Sequence, residues 1–251
     1  LTPGNRYKIV SIKVDMADGS RTQVEKLITA TQRDETHVLV HGNLPENSKG
    51  KTYTFYDKVY RVVAQGDERL VSNHEEDMDE NQRIYVPSIS TRAYDSKTGD
   101  NEGWATEDST FVDEVSYENL TYGESYYVEG KLYEMGTNTP VTVNGTEVTA
   151  MARFIAGVDG EVDWRSADLS GYAQNTYNNR GGAVVGMQRA TGKINVNFNY
   201  DATSVAGKNI VAVQRVYTWD GKLVAHHEDV NDENEVVSYP KVETSISDTE
   251  L

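Results

Sequence analysis

SKGKTYTFYDKVY (residues 48–60) and VAGKNIVAVQRVY (residues 205–217) are two versions of one segment, with the Gly-Lys pair and the Val-Tyr pair at equal separations. Both alternate apolar and polar residues after the Gly-Lys pair, which is the period of a half-buried β-strand. Working outward, LTPGNRY (1–7) matches LTYGESY (120–126), and HEEDMDENQ (74–82) matches HEDVNDENE (227–235). The order of these matches is the same in both halves, so the chain carries two copies of one β unit.

Alternation predicts further strands at YKIVSIKV from Tyr7, HVLVHG from His37, TYTFYDKVYRVV from Thr52, SYYVEGKLYE from Ser125, KINVNFNY from Lys193 and NIVAVQRVYTW from Asn209. Turn signals separate them: ADGS, VNGTE, VDGE and WDGK all contain the Asp-Gly or Asn-Gly pair that suits tight hairpins. No stretch has the stripe of a long helix. The expected fold is all-β, with tandem immunoglobulin-like antiparallel β-sandwich domains. Proline marks the boundaries, because YVPSISTRAYD around Pro87 is echoed by SYPKVETSISD around Pro240, with Thr91 and Thr244 each four residues past their proline. The predicted organisation is a first unit over 1–86 lacking its opening strand, a complete unit over 87–239 with an inserted loop at about 166–192, and the first strand of a following unit over 240–251. On this reading the chain is a section of a longer tandem array.

The composition agrees. Of 251 residues 37% are hydrophobic, and 16 Tyr against 4 Phe point to aromatic rings on half-exposed strands. The formal charge of -16 disfavours phosphate backbones and anionic membrane surfaces. There is no Cys, so disulfides and thiolate metal sites are excluded, and no apolar run is long enough to span a membrane.

The PSISTRAYD opening, the VDEVSYENLTYG stretch from Val112, the VAVQRVY stretch from Val211 and the HEDVNDENEVV closing from His227 together resemble the ester-bond-forming immunoglobulin-like repeats, or VaFE repeats, of Gram-positive surface proteins and adhesins. The resemblance extends over the whole chain. It implies that a Thr on the first strand is joined to a Gln on the last by a self-made ester bond, assisted by an Asp, a Glu and a His. Carried onto this sequence, the Thr is Thr91, the Asp is Asp113 and the His is His227. Two positions depart from the pattern: Gln214 stands where the family has its Glu, and Glu235 where it has the bond-forming Gln. The first unit has Gln82 and His74 in the expected places and Asp57 at the Glu position. Its Thr and Asp would lie upstream of Leu1. The resemblance also implies an extracellular, cell-wall-anchored stalk or fibre, with no enzyme turnover and no cofactor.

The chemistry is demanding, since a Thr hydroxyl is a poor nucleophile and a carboxamide a poor electrophile. A carboxylate must take the proton, a donor must stabilise the oxyanion, and strands must hold the partners together. Buried acids of unlike pKa can fill both acid and base roles. For the second unit three outcomes stay open: an ester to Glu235 with loss of water, attack of Thr91 on Gln214 with Glu235 as the acid, or no bond.

Other readings compete with this one. The DVNDENE run from Asp229 has oxygen ligands but lacks the central Gly and spaced terminal Glu of a calcium loop, so no metal is assigned. The Asn119 and Asn144 glycosylation patterns are too short to carry weight. A carbohydrate-binding β-sandwich would need Trp104, Trp164 and Trp219 on one exposed face. A hydrolase built on Asp113 and Glu235 is disfavoured, because the repeat already accounts for both acids. Expected partners are neighbouring repeats and, head to tail, a second molecule whose Thr244 segment docks on the open edge of the first unit near Gln82.

Overall fold

The structure is a computed structural model that describes residues 1–63, 66–76, 79–161 and 189–247. It is all-β and antiparallel throughout its sheets, and it divides into a unit ending at Val86 and a unit opening at Pro87. No helix among the described residues is long and apolar enough to cross a membrane.

In the first unit β1 (Arg6–Asp15), β2 (Arg21–Thr29), β3 (Thr52–Val62), β4 (Glu68–His74) and β5 (Arg83–Tyr85) form one sheet in the order β2-β1-β3-β4, with β5 also on β3. The β1–β2 turn is closed by Asp15, whose carboxylate accepts from the Ala17 N–H and meets Lys51 Nζ at 2.7 Å.

The predicted strand HVLVHG is not a strand. Its alternation survives, with Val38 and Val40 outward at 72% and 76% exposure and His41 turned in to stack edge-on against Phe55. Its counterpart in the second unit pairs along its length with a strand that has no equivalent in residues 1–86. Extended backbone needs a neighbour to become a sheet, and among the described residues this segment pairs with none.

The second unit has two facing sheets. One contains β6 (Ser88–Asp95), β7 (Ser109–Thr121) and β12 (Arg189–Tyr200) in the order β12-β7-β6. The other contains β8 (Ser125–Glu134), β11 (Thr149–Ile155), β13 (Lys208–Thr218) and β14 (Leu223–His227) in the order β11-β8-β13-β14, with β15 (Val236–Tyr239) also on β13. A small hairpin of β9 (Thr142–Val143) and β10 (Thr146–Glu147) turns through Asn144 and Gly145, both at positive φ, as the Asn-Gly pair predicts. The strands β8, β11, β13, β14 and β15 repeat β1, β2, β3, β4 and β5 in order and pairing.

Alternate residues of β7, β8, β12 and β13 fill the space between the sheets, among them Phe111, Val115, Leu132, Val196, Phe198 and Ile210. Phe111 and Phe198 meet edge to face with centroids 5.8 Å apart. Gly130 makes this approach possible, because a Cβ there would lie 2.5 Å from Phe198 Cζ. The predicted loop at 166–192 falls mostly outside the described residues, and its end is corrected: residues from Arg189 onward already belong to β12. Residues 240–247 form no strand, and Val242 and Ile246 are exposed there.

Candidate functional site: a sealed polar cluster in the second unit

Five polar side chains project into the apolar interior of the second unit. On β6, Ile89, Thr91 and Ala93 share the inward face, and the Thr91 hydroxyl is buried without a hydrogen-bond partner. Asp113 lies on β7 opposite Ala93, between the buried Phe111 and Val115, and neither of its oxygens has a partner. Gln214 occupies the inward row of β13 between Ala212 and Val216; it is 0% exposed, and both amide atoms are unpartnered. In the ladder it stands beside Gly130 on one side and His227 on the other.

His227 ends β14, and its Nε2 lies 3.1 Å from Asp232 Oδ2 and 3.3 Å from Glu235 Oε1, within ion-pair distance but not aligned for hydrogen bonds. Glu235 is also 0% exposed. It was expected on the last strand, and it sits instead at the end of a 3-10 turn, Glu233–Glu235, immediately before β15. The Asp232 carboxylate makes that turn by accepting from the Asn234 N–H at 2.9 Å. Strand β6 packs against β14, β15 and this turn, which brings the strand of Thr91 beside Glu235.

Burial controls the charges. It pushes the Asp113 carboxyl up to about 7, with Glu114 adding to the rise and the nearby Arg92 backbone opposing it. It pushes Glu235 up to about 10, and the neighbouring negative charges of Asp113, Asp232 and Asp229 raise it further. At neutral pH, then, Glu235 is a proton donor, while Asp113 is poised to accept. The ligating atoms of His227, Asp232 and Glu235 all lie within 4.8 Å of one another. An uncharged Glu235 offers a cation little, and we assign no metal here.

The first unit repeats the scaffold without the seal. Asp57 on β3 is paired in register with His74, as Gln214 is with His227. His74 Nε2 meets Asp79 Oδ2 at 3.0 Å, and Asp79 caps a 3-10 turn, Glu80–Gln82, that ends at the half-buried Gln82. Among the described residues of 1–86 there is no counterpart of β6 or β7. Thr244 lies in the exposed segment after Pro240. Two participants escaped the sequence reading, Asp79 and Asp232. The available signal was an Asp five residues after each His, present in both copies.

The second unit is thus a two-sheet β domain holding a hydroxyl, a carboxamide and two acids inside its core. The family model for the T-Q ester bond containing domain matches residues 1–86 and again residues 87–238, and the chain belongs to that family. Among solved structures, a bacterial adhesin from Mobiluncus mulieris containing intramolecular disulfide, isopeptide and ester bond cross-links is similar in two space groups. The TM-scores are 0.38 and 0.37, at 14% identity over 62% of this chain. The chain spans 58% of the length of those adhesin chains. No match is found among curated proteins.

Proposed function

We propose that the chain forms part of the stalk or fibre of a Gram-positive cell-surface adhesin, made of immunoglobulin-like repeats, and that its second unit closes an intramolecular ester from Thr91. The observation that carries this reading is the set of buried, unpartnered polar atoms on Thr91, Asp113, Gln214 and Glu235. Leaving such groups unsatisfied in a core costs about 1–3 kcal/mol each, and a self-joining reaction gives them a use. The strands supply proximity, and the unlike acids supply a base and a proton donor. The event occurs once per molecule, so the unit is not an enzyme in the turnover sense. Localisation on the cell wall and contact with neighbouring repeats follow from the same reading. So does docking of the 240–247 segment of one molecule on the first unit of another, which sizing across a concentration series would test against a variant ending at Tyr239.

The carbohydrate-binding alternative is not favoured by the described tryptophans. Trp104 and Trp219 are exposed at 62% and 49%, but they lie at opposite ends of β13: Gly103 is bonded to Ser238, which pairs with Asn209, while Trp219 follows Thr218. Nine residues of strand separate these positions by roughly 30 Å, too far for one stacking platform. Trp164 lies outside the described residues.

Intact mass decides the main reading. Loss of about 17 Da reports ammonia released from an amide, and about 18 Da reports water released from an acid. Full mass in folded protein, with Thr91 in an unmodified peptide, would overturn it.

A further inference from the structure

The two copies hold the same pair of functional groups in opposite places. In the first unit the strand position beside His74 is an acid, Asp57, and the turn position is an amide, Gln82. In the second unit the strand position beside His227 is an amide, Gln214, and the turn position is an acid, Glu235. Each site keeps one carboxamide and one carboxyl. We infer that in the second unit the two have exchanged duties, so that Thr91 is acylated by Gln214 while Glu235 donates the proton that the leaving nitrogen needs. This rests on the ester-forming reading above and specifies its chemistry.

The surroundings of Gln214 support the assignment. An amide kept only for structure would be hydrogen-bonded, and one that had lost its function would be replaced by an apolar residue matching Ile210, Ala212 and Val216 in the same row. Gln214 is neither bonded nor replaced. Its neighbour across the ladder is Gly130, which has no side chain to compete for the space. Its other neighbour in the ladder is His227, whose ring lies 3.3 Å from Glu235. Glu235 is the poorer acyl donor. Its charged form resists attack, and its neutral form is the proton donor closest to His227.

The step balances. Asp113 takes the Thr91 hydroxyl proton as Oγ1 bonds to Cδ of Gln214. The C–N bond then breaks as Glu235 protonates the departing nitrogen, and ammonia leaves. The proton held by Asp113 returns to Glu235, directly or through water, so one ester forms and no net charge changes. His227 exchanges no proton in this step and lies against Glu235, which makes it a positioning residue.

The test is peptide mapping of the folded, purified chain before and after hydroxylamine treatment; the joined fragment is read before it, and the treatment then opens an ester and leaves a hydroxamate on the residue that supplied the acyl group. The inference expects a loss of about 17 Da in the intact chain, a fragment joining the Thr91 and Gln214 peptides, and the hydroxamate on residue 214. A hydroxamate on residue 235 with a loss of about 18 Da would overturn the exchange while leaving the ester reading intact. No joined fragment at all would overturn both. Gln214→Leu keeps the row apolar and adds no charge, so it is expected to fold with full mass. A surviving Thr91 crosslink in that variant would also overturn the exchange.

Discussion

The two units share a sheet, a histidine and an acid-capped turn, yet only one of them encloses its site. In the first, Asp57 and Gln82 stay partly open to solvent, whereas in the second Gln214 and Glu235 lie beneath a second sheet and are sealed. The layer carrying Thr91 and Asp113 is what separates them: it covers Gln214 and Glu235 and is absent from the described residues of 1–86. That layer brings the Thr91 hydroxyl and also supplies the burial that drives both acids upward.

The comparison can be broken most directly at Thr91. Thr91→Val removes the crosslink and opens the loop it closes, a loss of about 5 kcal/mol by analogy with other covalent staples. Calorimetry should show the second unit melting roughly 10–20 °C lower, with the first unit unchanged. If both transitions move together, the units are not separable in this way.

Next in size is the pH response, best read in that uncrosslinked variant. The folded value of Glu235, about 10, lies above its ordinary 4.5, so the folded state holds the extra proton between those values. Its stability contribution is therefore complete below pH 4.5 and is lost as pH rises toward 10. By pH 7 the loss from Glu235 is on the order of 3 kcal/mol, and Asp113 adds to it between its ordinary 3.8 and about 7. Denaturant melts of Thr91→Val and of Thr91→Val with Glu235→Gln, from pH 4.5 to 8, should show a steep slope in the first and a shallower one in the second. Equal slopes would mean that Glu235 is not buried in its neutral form.

A smaller effect sharpens the contrast in packing. Gly130 and Ser11 occupy equivalent places, opposite Gln214 and Asp57. Gly130→Ala puts a methyl against Phe198 and should cost about 1–3 kcal/mol in the second unit. Ser11→Ala adds no atom and removes one hydroxyl from a buried position, and should cost less, about 0.5–1.5 kcal/mol. The smallest expected difference is at the turns: Asp79→Ala and Asp232→Ala each remove one cap and should cost their own unit about 1 kcal/mol. Unequal costs there would show that the His contacts of the two copies are not alike.

Much of this was legible in the sequence for physical reasons that are local. The Asn144-Gly145 turn, the strand from Ser125 and the inward row on β13 each follow from residues within a few positions of one another. The strand predicted at His37 failed because pairing belongs to two segments, and alternation reports only one of them. Glu235 was placed on a strand because the turn that holds it depends on a side-chain cap by Asp232, which composition alone reads as one more solvated acid. The burial of Gln214 could be read from its apolar neighbours in the row, but its lack of a partner could not, because that is decided by Gly130 and Phe198 arriving from other strands.

Strand β13 takes β8 along one edge and divides the other between β14 and β15. In a fibre under tension, this layout makes the position of the bond a mechanical setting. A load entering at Pro87 would cross from Thr91 to Gln214 and bypass all the chain between them, leaving only the β14 hairpin and β15 able to peel before the force reaches Tyr239. That stretch pays out roughly 85 Å when pulled straight, at about 3.4 Å per residue. A bond at Glu235 would leave almost nothing to extend. With the acyl donor on the strand, the proposed bond would thus leave a fixed length of slack able to refold when the load is removed, where a bond at the turn would make a rigid link.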